Sequence, residues 1–112
     1  MKSLKNILIL IADRTTDRQG DAILAKDVYV NDYTRVTHDF NIMKPVGRAT
    51  IRREGNNFFA DLEILDDFDA GGLYPCVGGS RKQNGVNEIF EVALCSYPNA
   101  DSRIRPIGDV LS

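Results

Sequence analysis

The chain is poor in the residues that staple, metallate or steer a protein. Cysteine occurs twice, at Cys76 and Cys95, and histidine once, at His38. Two cysteines make no disulfide framework for a chain able to bury its own core, which points to reduced thiols in a cytoplasm. His38, Cys76 and Cys95 show no close C-x-x-C or H-x-x-x-H spacing, so no metal and no cofactor is expected. There is no basic excess. The 14 Lys and Arg stand against 16 Asp and Glu, a formal charge of -2, which argues against a general nucleic-acid binder. Long hydrophobic runs are missing too: residues 7–12, ILILIA, follow two lysines and imitate a secretion signal, but Asp13 and Arg14 end the run before an h-region of ordinary length. No membrane association is expected. No helical period persists through three turns, and there is no internal repeat, low-complexity tract or linker.

What the chain does have is a succession of short strand patterns. Residues 6–12 read as a strand covered on both faces, because the run is continuously apolar, isoleucine-rich and too short for a helix. Residues 13–21, DRTTDRQGD, contain no apolar side chain and form a loop. Residues 22–24, 28–30 and 36–40 read as further short strands. The clearest local signal is a hairpin. Gly47, Ala49 and Ile51 alternate with Arg48, Thr50 and Arg52; Glu54-Gly55-Asn56-Asn57 supplies turn chemistry; Phe58, Ala60, Leu62 and Ile64 then alternate with Phe59, Asp61 and Glu63. Residues 66–72, DDFDAGG, form a loop before a short strand at 74–77. Asn84-Gly85 marks a second hairpin, with residues 87–95 returning as a strand in which Phe90, Val92 and Leu94 oppose Ile89, Glu91, Ala93 and Cys95. Residues 102–107 read as a terminal strand or arm. The expected fold is all-β, one domain over residues 1–112, built as a small β-barrel or sandwich of antiparallel strands.

Read in order, the marks DRQGD, THDF, KPVGRATIRREGNNFFADLEI, CVGG and IFEVALCSYPNAD resemble the core of the phage prohead protease family, the enzymes that mature tailed-phage capsids. That family's GD turn, HD pair, P-I-G hairpin, S-[IV]-G serine and E-V-S/A-L strand look like Gly20-Asp21, His38-Asp39, Pro45-Val46-Gly47, Cys76-Val77-Gly78 and Glu91-Val92-Ala93-Leu94, followed by Pro98-Asn99. Family members are longer and carry helical insertions that this chain lacks, and their nucleophile is serine where Cys76 stands. The resemblance implies a barrel and a phage-head setting, with His38 at the general-base position.

Cys76 therefore has two readings. As a nucleophile it would need His38 to lower its pKa and the N–H groups of Gly78 and Gly79 to hold an oxyanion. As a small core residue it needs nothing, and this reading is favoured because buried cysteines are commonly inert. His38 divides likewise between a base and a strand residue hydrogen-bonded to Asp39. Asp67 and Asp69 imitate the start of a calcium loop, but Gly71 follows and no glutamate closes it. GGSRK lacks phosphate-loop spacing and reads as a hairpin tip. Arg48, Arg52, Arg53, Arg81 and Lys82 form either a local positive patch or an outer face balanced by Asp61 and Glu63. Tyr29, Tyr33 and Phe68 are the candidate contact anchors.

Together with the resemblance, these features lead to the expectation of a non-enzymatic phage-head component of decoration or cement type. Its partner would be the major capsid protein, its assembly a homodimer or trimer, and its location the virion, after synthesis in the bacterial host cytoplasm. The rival expectation is a minimal cysteine-type maturation protease using Cys76 and His38. A third is a module that binds a host factor.

Overall fold

The computed structural model describes residues 1–20, 22–81 and 85–111, the side chains of Asp32, Tyr33, Arg81, Val110 and Leu111 excepted. Its strands are β1 (Lys2–Ile11), β2 (Val28–His38), β3 (Gly47–Glu54), β4 (Asn57–Ile64), β5 (Tyr74–Arg81) and β6 (Asn87–Cys95), and the helix α1 (Ile107–Leu111) follows them. The β3–β4 hairpin forms as its alternation demands, with antiparallel pairs running from Gly47↔Ile64 to Glu54↔Asn57. Gly55 opens the two-residue loop at φ +62°, the positive value that a II′ turn requires at its first central position. Phe58, Ala60, Leu62 and Ile64 are all buried, while Ala49 and Ile51 pack half-buried against the same cluster.

The six strands form one sheet in the order β1-β4-β3-β2-β6-β5. Its inner face gathers Ile7, Ile9, Val36, Phe58, Leu62, Ile64, Val92 and Leu94 into the main core. This corrects the barrel-or-sandwich expectation while keeping the all-β class. The sheet does not close, because no ladder joins its edge strands β1 and β5 among the described residues. The strands are not all antiparallel either: β2 pairs with β6 in parallel, through Val36↔Val92 and His38↔Leu94. A parallel neighbour needs a long connection, and here the β3–β4 hairpin and β5 supply it. Two local features mark the edge strands. β1 shifts register at Leu4/Ile7 and Leu8/Leu10, which bends the strand. At the β5 edge, Pro75 offers no N–H, and its carbonyl accepts from the Asn99 side-chain amide at 2.8 Å.

Other expectations change for tertiary reasons. As an edge strand β1 is covered on one face, so Ile7 and Ile9 are buried but Leu8, Leu10 and Ile11 only half-buried. Residues 22–24 make a single bridge, Asp13↔Leu24, and lead into a 3₁₀ turn at Ala25–Asp27. The strands expected at 28–30 and 36–40 are one strand, β2, whose pairing to β6 slips between Val30 and Arg35. In β6 the pairs Gly78↔Glu91 and Gly79↔Ile89 leave Phe90 as an extra residue, so Ile89 is buried and Phe90 faces solvent. The tail is a docked turn and helix, not a strand. Ile104 and Ile107 are buried, Ile107 N–H donates to the Leu73 carbonyl at 2.9 Å, and Gly108 N–H donates to Gly71 at 2.8 Å. A Cβ on Gly108 would lie 2.7 Å from the Gly71 carbonyl oxygen, so only glycine permits this approach.

Candidate functional site

Strand register decides where Cys76 points. Cys76 pairs with Ala93, and Ala93 with Thr37, so these three side chains share the sheet face opposite the main core. Cys95 lies on that face as a diagonal neighbour, since it pairs with Tyr74 two residues before Cys76. Cys76, Ala93 and Cys95 form a small buried cluster against Tyr74. Burial first, then the neighbouring Cys95, pushes the Cys76 thiol up to about 12. Burial also raises Cys95, and Tyr97 is pushed up to about 12, chiefly by its hydrogen bond with Cys95. A thiol held this high stays protonated at neutral pH and is a poor nucleophile.

The rest of this face is equally unsuited to an oxyanion. Thr37 Oγ1 donates to Glu91 Oε2 at 2.6 Å, and both residues are buried. The other carboxylate oxygen lies over Gly78, where an added Cβ would meet Glu91 Oε1 at 2.6 Å. A carboxylate beside Gly78 repels developing negative charge, the opposite of what an oxyanion site supplies.

His38 sits elsewhere. As the last residue of β2 it pairs with Leu94, whose neighbours Val36 and Val92 face the main core. Its ring meets Phe68 edge-on, with centroids 5.5 Å apart, and Nε2 is 3.3 Å from Asp39 Oδ2. Alternation along β2 places His38 and Thr37 on opposite faces, and β6 stands between β2 and β5. The structure thus brings Cys76 to Cys95 and His38 to Asp39, and does not bring Cys76 to His38. Asp39 accepts Ser96 N–H at 2.8 Å and Ser96 Oγ at 3.1 Å, contacts that hold its carboxyl below the usual range. In this trio the carboxylate lies between serine and histidine, whereas nucleophilic catalysis needs histidine between them. Among the described residues no group of three or more His, Cys, Asp or Glu gathers to hold a metal ion. No helix among them is long and apolar enough to cross a membrane.

The contact candidates separate sharply. Arg48 donates to Glu63 at 2.8 Å directly across the hairpin, and Arg52 to Asp61 at 3.2 Å, to Asn6, and over the Phe59 ring at 5.4 Å. Arg53 Nε donates to the Gly55 carbonyl at 2.7 Å. Of the two readings, Arg48 and Arg52 fit the outer face balanced by Glu63 and Asp61. Arg81 and Lys82 lie outside the described side chains. Tyr29 is exposed as expected, and the side chain of Tyr33 lies outside the described residues. Phe68 is corrected as an exposed anchor, because it packs half-buried against His38 and the main core. Asp69 Oδ1 accepts Gly71 N–H at 3.0 Å, an internal turn contact. Sequence reading missed the β2–β3 loop, where Ile42 is 58% and Met43 83% exposed. These two residues lie just past the strand read at 36–40, after a turn in which Asp39 (φ 50°) and Phe40 (φ 62°) take positive values.

A cleft of about 510 Å³ is lined by residues of β1 and β5 together with the loop residues Asp17 and Arg18 and the segment from Tyr97 to Asp101. At one end Arg18 bridges it, donating to the carbonyls of Asn99 and Ala100. No family model, curated protein or solved structure matches the chain.

Proposed function

We propose that the chain is a structural, non-catalytic protein of the tailed-phage head, of decoration or cement type, which binds the major capsid protein and bridges neighbouring shell subunits. The phage-head setting rests on the ordered sequence marks from Gly20-Asp21 to Pro98-Asn99. One observation carries the non-catalytic part: Cys76 and His38 face opposite sides of the sheet, and burial keeps the thiol protonated. What the molecule offers a partner is exposed apolar surface, led by Ile42 and Met43 in the β2–β3 loop and joined by Tyr29 on β2. Repeated over many copies, a modest contact of this kind resists shell expansion through multivalency. The test is quantitative mass spectrometry of purified proheads and mature virions, with parent and Cys76→Ala protein. Stoichiometric presence on mature particles, unchanged by the substitution, is expected. Presence confined to proheads, or a capsid cleavage lost in Cys76→Ala, sinks the proposal.

A further inference from the structure

We infer that Cys76 and Cys95 form a two-coordinate site for a soft divalent metal ion of the mercuric type, opening onto the cleft beside β5. The register supplies the two sulfurs. Cys76 pairs with Ala93 and Cys95 with Tyr74, so both thiols project from one sheet face as diagonal neighbours, and both are buried. They interact directly, through a hydrogen bond between the two side chains. Cys76 also lines the cleft, as do Tyr97 and Asn99, which hydrogen-bond Cys95 and Cys76 respectively. An ion therefore has a way in from solvent, past Cys76 at 8% exposure and the exposed Tyr97 ring.

Spacing, donor count and charge decide what the pair takes. Diagonal neighbours across two strands stand about 7–8 Å apart. An unstrained disulfide wants Cα atoms about 4.4–6.8 Å apart and sulfurs at about 2 Å, so this pair is set too wide for one. A metal atom between the sulfurs suits the spacing better, because two metal–thiolate bonds of about 2.3 Å in line span about 4.6 Å. Zinc needs four donors, and among the described residues no third His, Cys, Asp or Glu joins the two cysteines. What remains is a soft ion content with two thiolates in line. Charge selects a divalent one. Two S–H bonds break and two S–metal bonds form, both protons leaving to solvent, so a divalent ion leaves the pair neutral and a monovalent ion leaves it negative. The Asp39 and Glu91 carboxylates already act on Cys95 against negative charge, and burial adds to that cost. This inference does not depend on the phage-head reading.

The probe is mercuric ion, added to the intact reduced protein with glutathione in excess and followed by native mass spectrometry, with zinc ion in a parallel arm. One mercuric ion per chain is expected, with no zinc retained. Cys76→Ala and Cys95→Ala, each left with one sulfur, should hold mercuric ion at least about a hundredfold more weakly, since the second sulfur acts at high effective concentration. X-ray absorption at the mercury edge of the loaded parent should show two sulfur neighbours at about 2.3 Å, a measurement that needs no variant to fold. Single variants that bind as tightly as the parent would overturn the proposal. So would two ions per chain, a mercury shell with one sulfur or with a third donor, or retention of zinc. Chains linked in pairs by the metal would overturn it as well, since the two sulfurs would then come from different molecules.

Discussion

At the scale of single residues, burial and local hydrogen bonds set the chemistry. The Cys76 thiol titrates at about 12 in the folded chain against 9.0 for an unperturbed one, so the stability linked to it is whole below pH 9 and declines as pH rises toward 12. In the folded protein at pH 8, iodoacetamide should alkylate Cys76 more than about a hundredfold slower than free cysteine, because the thiolate is the reactive form. Peptide mapping by mass spectrometry reads this directly, and a rate matching free cysteine would contradict the buried placement. Asp13 shifts the other way. Arg103 bonds it at 2.7 Å, also bonds Asp101 at 2.8 Å, and holds both carboxyls below the usual range. The folded pKa being depressed, the stability this cluster contributes is present above about pH 4 and is lost as pH falls. Asp13→Asn should therefore lower the urea midpoint at pH 7 and lower it less at pH 2.5, where part of the contribution is already lost. An equal loss at both values would show that the ion pairs are not the cause.

At the scale of elements, the β3–β4 hairpin is the best-specified part of the fold. Leu62 is fully buried and pairs with Ala49, while Arg48 and Glu63 face each other on the outer side. Leu62→Ala should cost about 2–5 kcal/mol by urea unfolding, the range for a large-to-small change in a packed core. An unchanged midpoint would reject the register. The hairpin was legible because its two faces differ in polarity at almost every step, Phe59 excepted, and its turn residues are glycine and asparagine. β6 was less so. Its alternation from Phe90 to Leu94 is genuine sequence pattern, yet the bulge opposite Gly78 and Gly79 breaks it and reverses the sides of Ile89 and Phe90. A bulge is a property of two strands together, and one strand's sequence does not display it.

At the scale of the whole molecule, charge is largely neutralised within the chain and apolar side chains are left on its loops. Arg48 and Arg52 are engaged by Glu63 and Asp61, so on the proposed shell contact they should contribute little steering. Shell occupancy should persist from 0.1 M to 1 M salt, across which the Debye length shrinks from about 10 Å to about 3 Å. An Ile42→Ser/Met43→Ser double variant should lose occupancy while Arg48→Ala retains it, both being read by sedimentation with purified shells. Release at 1 M salt without any effect of the loop variant would transfer the contact to charge.

The sequence by itself determined the all-β class, both hairpins, the inward set of Ile51, Leu62 and Ile64, and the choice of acidic partners available to Arg48 and Arg52. All of these depend on a period of two and on turn chemistry within about twenty residues, where geometry follows from the local chain. Tertiary structure alone decided that β6 would join β2 in parallel, that Ile104 and Ile107 would dock the tail, and that, among the described residues, the sheet's edge strands β1 and β5 would not be joined to each other. It also decided the question posed by Cys76 and His38. The sequence places each on a strand, but the face a side chain takes relative to another strand is set by the register between them, and a shift of one residue reverses it. That register comes from packing Val36, Val92 and Leu94 into one core, a condition that no segment of the chain carries alone.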